Sequence, residues 1–153
     1  RGLLAALRRV VAAPGGEAAV NQQAKSGATA LGLAALSGRT AEARLLLEHG
    51  ADPNLCENDG NSPLIKAAMA PGDAGLGAAA LLLDAKADVD HQNGDGATAL
   101  SFACQLSNVE VARLLLERGA NKSLQNNRGM DAVGKAGTRT VRKEELLALL
   151  ARY

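Results

Sequence analysis

The feature that most constrains this chain is an internal repeat. A short pattern built on glycine and an aliphatic residue four places later occurs four times: GATAL at 27–31, GNSPL at 60–64, GATAL at 96–100 and a degraded copy, GMDAV, at 129–133. The copies therefore begin 33, 36 and 33 residues apart. A second block keeps the same step at 45–54, 81–90 and 114–121. A period of this length over most of the chain predicts a stack of repeated units, a class of scaffold that mostly binds other proteins.

Composition agrees with a stack of closely packed helices. Hydrophobic residues make up 47% of the 153 residues but aromatic residues only 1%, so the core must consist of Leu, Ala and Val. The net charge of +1 gives no general attraction to nucleic acid or to an anionic membrane. The longest apolar stretch, residues 78–83, is too short to span a bilayer. We therefore expect neither nucleic-acid binding nor membrane insertion. Because the chain begins with Arg1, we also expect it to be a fragment of a longer protein.

Residues 22–54 show how one unit is built. Thr29 is placed to cap a first helix, and Ser62 and Thr98 occupy the equivalent positions. This helix should end near Gly38, where a left-handed residue would terminate it. A second helix is predicted over 41–49 and should end at Gly50. One such pair buries only one of its sides, so stacking has to complete the core.

These motifs resemble the ankyrin-repeat family, whose pattern joins G-x-T-P-L-H-x-A-A-x-x-G-H, a leucine run and G-A-D-x-N. The resemblance implies an all-α repeat solenoid of helix-turn-helix units with hairpin-like connecting turns. The predicted division is an N-terminal capping helix and loop (1–21), three repeats (22–54, 55–90 and 91–123) and a divergent C-terminal capping repeat (124–153). The second repeat carries a three-residue insertion near 70–75, which we expect to be a tolerated surface loop.

Several positions depart from the family pattern. The histidine that follows the leucine is replaced by Gly32, Ile65 and Ser101, so its hydrogen bonds must be lost or substituted. Lys86 and Ser107 stand where the family has helix-ending glycines. Both positions favour a positive φ, which carries a cost for residues with a Cβ atom.

We find no catalytic constellation in the sequence. His49 and His91 have no nucleophile or metal partner at a usable spacing, and Cys56 and Cys104 lack the spacing of a metal site. We therefore expect no enzyme activity, no cofactor, no metal and no small-molecule substrate. The low cysteine content favours a reducing environment, and hence an intracellular location in the cytoplasm or the nucleus.

Two alternatives to a protein-binding function remain open. Residues 129–135 read GxxxxGK, which is nearly a phosphate-binding loop, but the following residue is Ala136 rather than Ser or Thr, and no apolar strand precedes the motif. In the first alternative this segment nevertheless binds phosphate, and the chain is a nucleotide- or phosphate-binding protein. Alternatively, it is a structural spacer that binds nothing in its groove.

A protein or peptide partner of unknown identity is the favoured ligand. The family resemblance implies a concave surface lined by the hairpin turns and the first helices. Positions there that vary between repeats are the candidates for partner contact, and Leu36, Met69 and Leu106 are the candidates for an apolar strip. The full predicted set is Lys25, Ser26, Leu36, Ser37, Asn58, Asp59, Asn61, Met69, Ala70, Asp95, Gln105, Leu106, Arg128 and Met130.

Overall fold

The computed structural model describes residues 19–136 and 142–153, and this part of the chain is helical without any β-strand. The predicted N-terminal helix before residue 19 lies outside the described residues. In chain order the helices are α1 (Ala30–Leu36), α2 (Thr40–Glu48), α3 (Pro63–Ala68), a 3₁₀ turn (Gly72–Gly75), α4 (Leu76–Asp84), α5 (Ala99–Leu106), α6 (Val109–Glu117), α7 (Ala132–Ala136) and α8 (Lys143–Arg152). The helical repeat architecture predicted from the sequence is confirmed.

The helices pair and stack as the repeat predicts. The first helix of each pair contacts the first helix of the next, through α1, α3, α5 and α7, and the second helices α2, α4, α6 and α8 form a parallel row. Leu46, Leu82 and Leu115, which are equivalent leucines of the second helices, are at most 2% exposed. One apolar core therefore runs along the described stack.

The first helices begin at the predicted caps. The Thr29 hydroxyl oxygen accepts a hydrogen bond from the Gly32 backbone N–H at 3.0 Å. Ser62 caps α3 in the same way, with Pro63 in the first turn. At α5 the cap is reciprocal, because the Thr98 hydroxyl oxygen accepts from the backbone N–H of Ser101 and the Ser101 hydroxyl oxygen accepts from the backbone N–H of Thr98. Ser101 thus uses the position of the family histidine to strengthen a cap.

Two non-glycine residues adopt the strained backbone predicted for them. Lys86 has φ +67° and Ser107 has φ +63°, close to the +65° of Gly38 in the first repeat. L-residues seldom adopt this region because the Cβ atom approaches the following carbonyl. The repeat geometry therefore holds these two residues in place against a local preference.

The insertion is more than the tolerated surface loop that the sequence suggested. Pro71 and Gly72 are exposed, but the Oδ1 atom of Asp73 accepts a hydrogen bond from the Glu110 backbone N–H at 3.1 Å. From the next repeat, Asn108 donates through Nδ2 to the carbonyl oxygens of Ala68 and Ala70 at 2.8 and 2.9 Å. The extra residues are thus bonded to the first turn of α6.

Candidate partner-binding surface

The tips of the connecting turns are joined into one row by backbone hydrogen bonds between repeats. The N–H of Asn58 donates to the carbonyl of Ser26 at 3.1 Å, Gly94 to Asp59 at 3.0 Å and Asn127 to Asp95 at 2.9 Å. The side chains of Asn58 and Asn127 add bonds to the preceding tip, to the carbonyls of Lys25 and Gly94. The tips therefore form an ordered edge rather than independent loops.

Glutamine side chains brace the same turns. Gln23 donates through Nε2 to the carbonyl of Gly27 in its own turn and to that of Cys56 in the next, and Gln92 does the same toward Gly96 and Gln125. The equivalent residue in the second repeat is Cys56, which has no such donor. There His91 of the following repeat lies with Nε2 2.8 Å from the carbonyl oxygen of Gly60.

Most predicted contact residues reach the surface. Exposed members are Lys25, Ser26, Ser37, Asn58, Asp59, Asp95, Gln105, Leu106 and Arg128, and half-buried members are Leu36, Met69 and Met130. Leu106 is 46% exposed, whereas Met69 packs against the core. Leu36 and Met69 share one register of the repeat and Leu106 lies one residue beyond it. The three side chains accordingly differ in how far they are exposed.

Two predicted contact residues are buried and serve the scaffold instead. The Asn61 side chain, in a residue only 7% exposed, donates to the Asp59 carboxylate at 2.7 Å and accepts from Asn93 at 2.9 Å. Ala70 is fully buried, and its carbonyl oxygen accepts from Asn108. Both residues are thus less accessible than the sequence interpretation assumed, because sequence variation between repeats also occurs where one junction needs its own packing; partner contact by the set remains a prediction.

Sequence reasoning missed one varied register on the first helices. Its members are Leu33, Lys66, Phe102 and Lys135, which lie one residue after the position of the missing family histidine. Leu33 is 52% exposed, the largest value among the exposed large hydrophobic residues of the described chain. The signal was available, since this register holds Leu, Lys, Phe and Lys beside alanines that hardly change.

The charges along this register are not equivalent. Lys66 forms an ion pair with Glu57 at 3.1 Å, and both side chains are nearly buried, at 13% and 12% exposed. The second carboxylate oxygen of Glu57, Oε1, is buried without a hydrogen-bond partner. It lies beside Gly32, where a Cβ atom would be 3.7 Å away. Lys135, by contrast, donates to Oε1 of Gln105 at 3.1 Å.

A groove of about 250 Å³ lies between the last two repeats on this surface. Its lining consists of Asp95, Ala97, Phe102, Gln105, Asn126, Asn127, Arg128 and Lys135. A second groove of about 430 Å³, lined by Leu33, Ala34, Arg39, Leu46 and their neighbours, lies along α1 and α2.

The structure brings Cys56 and His91 together, contrary to the prediction that neither histidine has a nucleophile nearby. Sγ of Cys56 lies 3.4 Å from Nε2 of His91. A carbonyl oxygen only accepts, so the short contact of Nε2 with Gly60 requires a proton on that nitrogen. That nitrogen cannot then take the thiol proton. Burial, with Asp52 and Asp59 nearby, raises the pKa of the Cys56 thiol, which disfavours the thiolate form.

The GxxxxGK segment does not form a phosphate-binding loop. It is preceded by turns, and α7 within it has only five residues. The carboxylate of Asp131 accepts from the backbone N–H of Gly134 at 2.8 Å, which places a negative charge at the start of this helix. A phosphate would meet repulsion there rather than a cradle of free N–H groups.

Two searches of the described residues gave negative results. Among residues 19–136 and 142–153, no three His, Cys, Asp or Glu side chains are grouped as metal ligands would be. In the same ranges no helix has the length and apolar character needed to cross a membrane.

Comparison with known proteins agrees with the geometry. A family profile described as ankyrin repeats (3 copies) matches residues 2–93 and 73–151. The chain is 34% identical over 139 residues to neurogenic locus notch homolog protein 1 of Homo sapiens, an alignment that covers 71% of this chain and 5% of the relative. The protein of the same name from Danio rerio is 33% identical, and notch homolog protein 2 of Homo sapiens is 32% identical over 138 residues. The chain spans only 5–6% of the length of these relatives.

Proposed function

Because this chain belongs to the ankyrin-repeat family, we propose that it is a non-catalytic interaction module that binds a protein or peptide on its concave surface. Ankyrin repeats are generally protein–protein interaction modules, and stacked repeats offer extended surfaces for that purpose. In this proposal the chain acts inside the cell, in the cytoplasm or nucleus, as part of a larger protein.

The observation that carries the proposal is the contrast between a repeated core and a varied surface. Leu46, Leu82 and Leu115 are the same residue in the same buried position of successive units. The register that follows the missing family histidine instead changes from the exposed Leu33 through Lys66 and Phe102 to Lys135, which are half-buried. Residues that stacking does not constrain are those that can specify a partner.

The bonded row of turn tips supports the same function. Each tip is held to the next by a backbone hydrogen bond, so the exposed side chains of Lys25, Asp95 and Arg128 project from a fixed edge. A surface that is ordered before binding loses less conformational entropy when a partner docks. This arrangement favours a binding platform over a spacer.

The test is a quantitative pull-down from cell lysate with a triple variant of the predicted concave surface. Lys25→Glu, Ser37→Arg and Leu106→Glu change exposed side chains for which the structure shows no bond within the described chain. We expect the variant to lose most of the proteins that the wild type enriches, because a rim charge reversal and a charge on an apolar contact both oppose docking.

The matched control changes charge by the same amounts at exposed sites of the second helices. Arg44→Glu, Ala151→Arg and Ala148→Glu should leave the captured proteins unchanged. Both variants must keep the wild-type circular dichroism spectrum. Equal capture by the two triple variants, or an empty wild-type pull-down, would contradict the proposal and favour the spacer.

A further inference from the structure

The turn tip of the third repeat carries the one Asn-Gly step of the sequence, Asn93-Gly94. Asparagine is a chemically labile residue. It loses its side-chain amide most readily before glycine, which has no Cβ atom to hinder the approach of its backbone nitrogen to the asparagine side chain. Asn93 is half-buried and Gly94 is exposed, so water reaches this step. A reactive dipeptide therefore lies at the edge of the candidate partner-binding surface.

Hydrogen bonds to the second repeat engage both groups that would have to react. The Gly94 N–H donates to the carbonyl of Asp59 at 3.0 Å. The Nδ2 atom of Asn93 donates to Oδ1 of Asn61 at 2.9 Å, and its Oδ1 atom accepts from two backbone N–H groups of its own turn. A backbone nitrogen whose hydrogen is held by a carbonyl loses that proton less readily. The closed junction thus protects the Asn-Gly step.

We propose that Asn93 is a site of spontaneous deamidation whose rate is set by opening of the junction between the second and third repeats. The inference is independent of the proposed function. The protecting bonds come from Asp59 and Asn61, so they are lost when these two repeats separate. Local opening is a normal property of folded proteins, and a slow reaction of the opened form follows the population of that form.

The reaction consumes only water. In the opened junction the Gly94 nitrogen gives up its proton to the solvent and bonds to Cγ of Asn93. The Cγ–Nδ2 bond breaks, and Nδ2 leaves as ammonia after taking a proton. Water then adds to either carbonyl carbon of the cyclic imide, and opening of the ring gives aspartate or isoaspartate.

The product cannot restore the original junction. An ionised carboxylate has no hydrogen to donate to Oδ1 of Asn61, so two acceptors face each other where a hydrogen bond stood. The Asp59 carboxylate is close as well, since Nδ2 of Asn61 donates to it at 2.7 Å. Isoaspartate also adds a carbon atom to the main chain, which displaces the Gly94 N–H from the Asp59 carbonyl. Deamidation therefore weakens this junction and adds negative charge to the row of turn tips.

The last repeat offers a matched comparison within the same chain. Asn126 is the equivalent of Asn93, and its Oδ1 atom likewise accepts from two backbone N–H groups of its own turn. The next residue, Asn127, donates its N–H to the carbonyl of Asp95 at 2.9 Å, as Gly94 does to Asp59. Both asparagines are half-buried. Because Asn127 has a Cβ atom, Asn126 should deamidate far more slowly.

The experiment incubates the wild-type chain at neutral pH and physiological temperature. Peptide mass spectrometry follows each asparagine, and methylation by an isoaspartyl carboxyl methyltransferase detects isoaspartate. The products should accumulate first at Asn93, and urea below the unfolding midpoint should accelerate their formation. Leu82→Ala, in the core of the second repeat, should raise the rate at least about tenfold. The control Leu149→Ala, in the last helix, should leave the rate within about twofold of wild type.

A second measurement tests the consequence of the reaction. Asn93→Asp reproduces one product and should lower the urea midpoint of unfolding. Asn126→Asp should lower it less, because the bonds made by Oδ1 in that turn need only an acceptor. Equal midpoints for the two variants would contradict the weakened junction.

Three outcomes would overturn the deamidation site itself. The first is a rate at Asn126 that equals the rate at Asn93. The second is a rate at Asn93 that rises neither in urea nor in Leu82→Ala. The third is an equal acceleration by Leu82→Ala and Leu149→Ala, which would show that opening of this junction does not control the reaction.

Discussion

At the scale of single residues, the missing family histidine leaves a traceable defect. Gly32 stands in its place, and the buried Oε1 atom of Glu57 beside it has no hydrogen-bond donor. A buried carboxylate oxygen without a partner carries a desolvation penalty that is not recovered. Glycine inside a helix adds a further cost of about 0.5–1 kcal/mol relative to alanine. The α1–α3 junction is therefore less stable than its packing permits.

We predict that Gly32→Ser raises the free energy of unfolding by about 1 kcal/mol. The serine hydroxyl can donate a hydrogen bond to Glu57, and serine has a better helix propensity than glycine. Urea denaturation followed by circular dichroism measures the change. The new Cβ atom lies 3.3 Å from the Thr29 hydroxyl oxygen, so that side chain must shift by a few tenths of an ångström.

Gly32→Ala separates the two contributions to this gain. Alanine has the better helix propensity by several tenths of a kcal/mol but offers no donor. Serine should nevertheless stabilise at least as much as alanine. A serine variant that falls below alanine by the propensity difference would show that Glu57 gains no bond.

Burial of the second cysteine predicts a loss of stability at high pH. Burial raises the pKa of the Cys104 thiol from 9.0 to about 12. In the unfolded chain the thiol ionises at a lower pH than in the folded chain. Its contribution to the free energy of unfolding is therefore fully present below pH 9.0 and is lost as the pH rises above that value. Above it, the free energy of unfolding should fall by about 1.4 kcal/mol per pH unit.

Cys104→Ala supplies the comparison, since alanine occupies the equivalent positions Ala35 and Ala68. Urea midpoints measured at intervals from pH 8 to pH 11 should converge or cross as the wild type loses stability relative to the variant. Parallel curves for the two proteins would contradict the assigned cause.

The residue-scale features that the sequence predicted depend on local interactions, whereas those that it missed depend on contacts between repeats. The caps at Thr29 and Thr98 and the positive φ of Lys86 followed from the sequence, because each depends on neighbours within one turn and on the repeat register. Burial of Asn61 did not, because its partner Asn93 comes from the next repeat, 32 residues away. Nor did the sequence reveal that His91 substitutes for the glutamine missing at Cys56.

At the scale of elements, the insertion caps a helix that it does not belong to. Asp73 lies in the 3₁₀ turn of the second repeat, and its Oδ1 atom accepts from Glu110 in the first turn of α6. The residue that precedes α6, Asn108, makes no side-chain cap and instead holds the carbonyls of Ala68 and Ala70. Asp73 thus provides the cap of α6 that Asn108 would normally provide, and Asn108 instead binds the backbone of the preceding repeat.

We predict that Asp73→Ala lowers the free energy of unfolding by about 1 kcal/mol, the typical cost of losing an N-terminal cap. Asp73→Asn keeps an acceptor oxygen and should retain most of the stability. Thermal and urea unfolding of both variants would measure this. Equal losses for alanine and asparagine would instead point to the charge of Asp73, which lies 3.7 Å from Arg142.

The order and approximate bounds of the helices were predictable from the sequence, because caps and leucine runs recur in each unit. The extra length of the second repeat was visible as well, but its role was not. A sequence pattern shows where residues are added, whereas the acceptor they provide to α6 depends on how the next repeat lies against them.

At the scale of the whole molecule, stability should fall toward the C-terminal end. The helix α7 has only five residues, including Gly134, and within the described chain α8 packs against α7 and α6. Because repeat stacks gain stability chiefly from nearest neighbours, a weak terminal unit can open while the remainder stays folded.

We predict that native-state hydrogen exchange distinguishes these regions. Amides of α8 should exchange at least about tenfold faster than those of α3 and α5, with α7 close to α8. Leu82→Ala in the centre should then speed exchange in both adjacent pairs, whereas Leu149→Ala should affect the last pair alone. Uniform exchange along the stack, or an equal response to the two substitutions, would argue for a single cooperative unit.

The bonds between turn tips also bear on how such a chain can change its length. Every junction from Ser26 to Asn127 presents the same backbone donor on one side and the same acceptor on the other. Duplicating or deleting one interior unit would therefore leave no orphaned amide at the seam. One exception is the junction where His91 contacts the carbonyl of Gly60, because a duplicated unit would have to carry both of these residues. Gene duplication within this array should thus tolerate breakpoints elsewhere more readily than between those two residues.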